Sequence, residues 1–152
     1  MSRYPHSPLM TSIASWNVRG LNWQNKQEDV KLFLQFNNIG LIGLLETKVK
    51  SQNVSKIAEN IFSGWEWANN CATSNGRIWV AWKPNLYKVS IKELSDQFIH
   101  CSVTQLLTNK HFHTTFIYGH NHEPQRQPMW AALHRIATST QGAWCILGDF
   151  NA

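Results

Sequence analysis

Three short apolar segments in this chain each run into a polar side chain, and this arrangement constrains the fold more than any other feature. Ile13-Ala-Ser-Trp16 leads into Asn17, Leu41-Ile-Gly-Leu-Leu45 into Glu46, and Trp144-Cys-Ile-Leu147, after Gly148, into Asp149. A short continuous apolar run suits a strand buried on both faces. Strands are rigid, and their ends can meet at one edge of a sheet, where ligand sites are assembled. Acids are scarce here: charged residues make up only 15% of the 152 residues, against roughly 25% in an average soluble protein. Where the few acids sit is therefore informative.

The rest of the pattern is mixed. Ser12 to Val18 reads as a first strand. Asn25 with Glu28 three positions later resembles a capping box, and Val30, Phe33 and Leu34 continue at helical spacing, which predicts a helix from Lys26 to Asn37. Val54, Ile57, Ala58 and Ile61 mark a second amphipathic helix. Four strand-like segments follow, at 76–83, 86–94, 98–106 and 112–119. Pro128 suits the first turn of a third helix, with Met129, Trp130, Leu133 and Ile136 on its inner face. The order β-α-β-α-β-β-β-β-α-β, give or take a strand, predicts an α/β (α+β) protein with strands stacked in sheets and helices outside. A loose leader is expected over residues 1–11, ahead of one domain over 12–152.

Composition sets limits on class. Hydrophobic residues reach 43%, with eight tryptophans, which excludes disorder. Most of the tryptophans, such as Trp79, Trp82 and Trp130, are expected in the core, with stacking on bases as the alternative. No apolar stretch approaches the roughly 20 residues of a membrane span. The net charge of +5 favours polyanionic partners such as nucleic acid, although the basic residues are scattered. Cys71, Cys101 and Cys145 form no paired framework, so an intracellular protein with reduced, mostly buried thiols is expected. His111, His113, His120 and His122 lie close together, but with no cysteine at ligand spacing they read as surface histidines before zinc ligands.

Two carboxylates brought together would repel unless a cation neutralised them. Oxygen donors without cysteine or histidine suit a hard ion such as Mg²⁺. The alternative is that Glu46 and Asp149 face solvent or cap a following turn.

Five motifs bear on that choice: Ser15-Trp-Asn-Val-Arg-Gly20, Leu44-Leu-Glu-Thr-Lys48, Gly76-Arg-Ile-Trp79, Tyr118-Gly-His-Asn121 and Leu147-Gly-Asp-Phe-Asn151. In this order they resemble the endonuclease/exonuclease/phosphatase superfamily, and their wording is most similar to the apurinic-endonuclease-like domains of plant non-LTR retrotransposons. The resemblance implies a two-sheet β-sandwich flanked by helices, of the four-layer αββα type, with its C-terminal part missing from this chain. It implies a Mg²⁺ (or Mn²⁺) ion at Glu46 and Asn17, and a phosphate site lined by Tyr118 and Asn121. Asp149 would orient or deprotonate the attacking water, and Asn151 would hydrogen-bond the scissile phosphate. DNA is the implied substrate, a reverse transcriptase domain in the parent polyprotein the implied partner, and the nucleus the implied setting.

The chain also departs from the family pattern. Gly76-Arg77 stands where Gly-Gly is usual, His120 where a small residue or proline is usual, and Arg19 where repair enzymes carry an acid. None of the seven histidines matches the family's terminal Ser-Asp-His-type motif. The chain alone is therefore expected to be a very poor catalyst, and a non-catalytic remnant that at most binds nucleic acid is the alternative. Arg126 reads either as a phosphate contact or as a solvated loop arginine.

Overall fold

A computed structural model describes residues 11–152, so the expected leader lies, apart from Thr11, outside the described residues. The elements are β1 (Ser12–Asn17), α1 (Gln24–Phe36), β2 (Ile39–Leu45), α2 (Ser51–Ile61), β3 (Glu66–Asn69), β4 (Ile78–Trp82), β5 (Tyr87–Leu94), β6 (Phe98–Gln105), β7 (Lys110–Tyr118), α3 (Glu123–Ser139) and β8 (Trp144–Asp149). The strands form two four-stranded sheets, ordered β1-β2-β4-β3 and β5-β6-β7-β8. β1 and β2 are parallel, as are β7 and β8; the remaining pairings are antiparallel.

Side-chain alternation explains the layers. Successive residues of a strand point to opposite faces, and every residue of β2 is buried, so β2 must be covered on both sides. Ile42 and Leu44 join Trp79 and Ala81 in a cluster with Val30 and Leu34 of α1 and Val54, Ile57 and Ala58 of α2. Leu41 and Leu45 face the other way, into a cluster between the sheets with Val80, Ile99, Cys101 and Phe116. Beyond the second sheet, Ile117 and Phe98 pack against Met129, Leu133 and Ile136 of α3. The result is the helix-sheet-sheet-helix sandwich expected. Gly43 lets the sheets meet closely: a Cβ there would lie 2.2 Å from a ring carbon of Phe116.

Several local expectations are corrected. β3 is an additional strand, with only four residues paired to β4. The Asn25 capping box does not form: α1 starts at Gln24 after Trp23, without a side-chain cap, and Asn25 Oδ1 accepts from the adjacent Lys26 N–H at 2.9 Å. Helix α3 begins five residues before Pro128, which lies inside it, and Pro124 takes the first-turn place. Trp79 and Trp82 are buried as expected, whereas Trp130 is 39% exposed and stacks on Phe150 at 5.5 Å. Of the cysteines, Cys101 is buried and Cys145 exposed; burial pushes the Cys101 thiol up to about 12. β8 pairs with β7 on one side and borders no further strand among the described residues. No helix among them is long and apolar enough to cross a membrane.

The outer face of the second sheet holds a stacked histidine pair, His100 and His113, with ring centroids 5.6 Å apart. Burial, reinforced by His113 and opposed by Glu93, holds His100 below its ordinary value. His100 therefore takes up its proton more readily in the unfolded chain. Its contribution to stability is fully present above about pH 6.5 and lost as pH falls through the lower folded value. Thermal melts are expected to show a lower midpoint at about pH 5 than at about pH 7.5, and His100→Gln should shrink that difference. Phe116→Ala should cost about 3–5 kcal/mol by urea unfolding, because the ring fills the gap over Gly43.

Candidate active site

Parallel pairing decides where the polar residues arrive. Asn17 lies opposite Leu45 in the β1/β2 register, so Glu46 follows directly beside it. Tyr118 lies opposite Asp149 in the β7/β8 register. β8 contacts both β1 and β2, and the ends of all four strands therefore share one rim of the sandwich.

At that rim, Asn17 Nδ2 lies 3.5 Å from Asp149 Oδ2, at the long limit of a hydrogen bond, while Asn17 Oδ1 accepts from the Arg19 N–H at 3.1 Å. Asp149 Oδ1 accepts from the Asn151 N–H at 3.0 Å. Asn151 Nδ2 donates to the Gly119 carbonyl at 2.6 Å, and the Gly119 N–H returns a bond to the Asp149 carbonyl at 2.8 Å. These reciprocal bonds tie the Tyr118 and Asp149 motifs together. A side chain at Gly119 would meet the Phe150 carbonyl at 2.5 Å, so the close approach needs glycine.

Glu46 keeps 17% of its side chain exposed, with Lys48 Nζ at 2.5 Å from Oε1. Lys48, with smaller help from the side chains of Asn17 and Tyr118 and against desolvation, holds the Glu46 carboxyl below its usual range. Burial raises the Tyr118 phenol above its usual value, and the charge of Glu46 adds to the effect. The phenol therefore stays protonated as a donor at neutral pH. Asn17, Glu46, Tyr118 and Asp149 are thus brought together, with Asn151 joined through Asp149. Asn121 and Tyr118 together line a cavity of about 570 Å³.

Backbone strain is concentrated at the same rim. Arg19, Glu46, Lys48 and Asn151 all have φ between 51° and 57°, a left-handed conformation that costs a residue with a side chain of order 1–3 kcal/mol. Hydrogen bonds from the Gly20 and Leu21 N–H groups to the Glu46 and Thr47 carbonyls hold these turns in place.

Two contributors, Lys48 and Gln97, were given no role from the sequence, and a third, Arg126, takes a role other than either expected. Lys48 lay within a quoted motif without a role. Gln97, buried in the β5–β6 turn, accepts from the His120 N–H at 2.8 Å, and its Nε2 donates to the Gln125 carbonyl at 2.9 Å. Its distance in sequence from the loop it supports hid it. Arg126 is neither a solvated arginine nor placed to reach a phosphate: it is buried, and Nη1 donates to the carbonyls of His120 and Asn121, each at 3.0 Å. Arg126→Met keeps the apolar stem and removes the donor. It should cost about 1–3 kcal/mol, and amide shifts in an ¹⁵N spectrum should move at residues 118–121.

The family model described as "Endonuclease/Exonuclease/phosphatase family" matches residues 14–152. No curated protein sequence matches the chain significantly. Among solved structures, the endonuclease domain of TRAS1, a telomere-specific non-LTR retrotransposon, superposes with a TM-score of 0.70 at 11% identity, over 91% of this chain and 59% of that one. D. rerio TDP2 complexed with a single-strand DNA product gives 0.70 at 15% identity, over 93% and 61%. An endonuclease/exonuclease/phosphatase family protein from Bacteroides thetaiotaomicron gives 0.73 at 11%, over 91% and 62%. At these identities the likeness is one of fold, and the chain spans about six-tenths of the length of each of these structures.

Proposed function

Since the chain belongs to the endonuclease/exonuclease/phosphatase family, we propose that residues 12–152 are part of a divalent-metal-dependent DNA endonuclease domain of retrotransposon origin. The observation that carries this reading is the convergence of Asn17, Glu46, Tyr118 and Asp149 at the ends of strands from both sheets. The fold shared with the TRAS1 endonuclease domain supports the retrotransposon setting, and that with TDP2 in complex with single-strand DNA supports nucleic acid as substrate. The apurinic-endonuclease-like, plant non-LTR branch rests on the wording of the Trp16–Asn22 and Trp144–Ala152 segments. In that setting the domain nicks target DNA in the nucleus, upstream of a reverse transcriptase.

The donor set fits a hard cation. Among the described residues no group of three or more His, Cys, Asp or Glu could hold a metal, but Mg²⁺ is commonly held by one or two carboxylates with waters completing its shell. Glu46, held ionised by Lys48, and Asn17 would provide that anchor for Mg²⁺ or Mn²⁺. The ion, when bound, supplies a Lewis acid and a sink for charge developing on the phosphate.

The protein's own groups account for the remaining work. Asp149, fixed by the Asn151 N–H on one oxygen and approached by the Asn17 amide on the other, accepts a hydrogen bond or proton from the attacking water. Tyr118, kept protonated by burial and by Glu46, donates to an oxygen that gains charge. Asn151 uses one amide hydrogen on Gly119 and keeps the other for a phosphate oxygen, while Asn121 binds the phosphate from the cavity side.

A second reading is a chain that binds nucleic acid without cutting it, in keeping with the net charge of +5. Supercoiled-plasmid nicking with Mg²⁺ separates the two. Slow nicking is expected, abolished by EDTA, Glu46→Gln and Asp149→Asn alike. Nicking that survives Glu46→Gln would sink the proposed site. Absence of nicking in folded protein that still binds the plasmid would establish the second reading.

A further inference from the structure

The cavity of about 570 Å³ beside Tyr118 contains groups that the hydrolytic reading leaves unused, among them Arg77, Asp96 and His120. Arg77 is half-buried, and its carbonyl accepts from the Thr47 N–H at 3.1 Å, which fixes its backbone beside the Glu46 turn. Its guanidinium pairs with no carboxylate among the described residues, yet it is close enough to Tyr118 to oppose the raised pKa of that phenol. A half-buried cation without a counter-charge is an anion site in waiting. The one acid in the cavity is already engaged: Asp96 Oδ2 lies 2.6 Å from His120 Nε2.

His120 is held on three sides. Asp96 orients its ring, Gln97 takes its N–H and Arg126 takes its carbonyl. With Nε2 donating to Asp96, Nδ1 is the ring nitrogen left for a ligand, and it donates to a phosphate oxygen when the ring is the imidazolium.

We propose that this cavity is a second phosphate subsite, in which Arg77 and the His120 oriented by Asp96 bind the phosphate next to the one cleaved. The proposal rests on the nucleic-acid reading of the main site. Because Tyr118 lines the cavity and also belongs to the main site, a strand crossing the rim would place its neighbouring phosphate there. The planar fork of an arginine suits phosphate oxygens.

Binding can be measured without turnover, by anisotropy of a short fluorescein-labelled single-stranded DNA in EDTA. Arg77→Gln should weaken binding about 10-fold and reduce the slope of log affinity against log salt by about one. His120→Gln should weaken it about 3-fold. Arg77→Lys should fall between wild type and Arg77→Gln, while Lys92→Gln, away from the cavity, should change nothing. Melting curves establish that each variant is folded, and Arg77→Gln leaves the backbone bond to Thr47 intact. Wild-type affinity and salt slope in Arg77→Gln overturn the proposal, as does absence of DNA binding by the wild type.

Titration with inorganic phosphate, followed at the residue 77 and 120 amides, distinguishes a strand from a small phosphate ester. Shifts with phosphate but no DNA binding overturn the strand assignment. Arg77-dependent DNA binding without any nicking refutes the nuclease reading and leaves the subsite standing.

Discussion

The ring of Phe116 lies where a side chain on Gly43 would be, and the separation of the two sheets depends on this contact. β2 and β7 are the strands it joins, and these two deliver Glu46 and Tyr118 to the rim. A larger residue at position 43 would push the sheets apart and widen the spacing between the polar groups of the two sheets. Packing density in a sheet interface is high, and extra volume is absorbed by backbone shifts. The geometry of the site is thus set by an apolar contact inside the sandwich, two residues before either strand ends.

Sequence legibility followed how locally each feature is encoded. β2 could be read because burial on both faces leaves an unbroken apolar run, and the rim could be read because each such run ends in Asn17, Glu46 or Asp149. β3 could not: Glu66-Trp-Ala-Asn is too short to show a period and is held by pairing with β4 alone. The start of α3 was misplaced because two prolines compete for one role, and Pro124 occupies it while Pro128 is carried inside. Asn25 looks like a cap in sequence, but Gln24 is already helical and its side chain bonds the next residue.

Gln97 and Arg126 illustrate a harder class. Both are buried polar side chains that spend their hydrogen bonds on the backbone of the 118–125 loop. Buried polar groups are normally satisfied, so each fixes the loop in one conformation. Their partners lie 5 to 28 positions away, and no motif records such a bond. Side chains that would touch substrate can be inferred from residue type and spacing, whereas those that hold them in place emerge only from the fold.

Among the described residues the border of β8 away from β7 is unshared, which has a practical consequence for a preparation of this stretch alone. Unpaired strand edges are templates for pairing with another chain, and β8 combines such an edge with exposed Cys145 and Ile146. If two copies aligned along this border, their Cys145 thiols would be drawn together, and an initially reversible contact could become covalent in air. Reducing agent and low protein concentration thus become conditions for keeping the chain monodisperse.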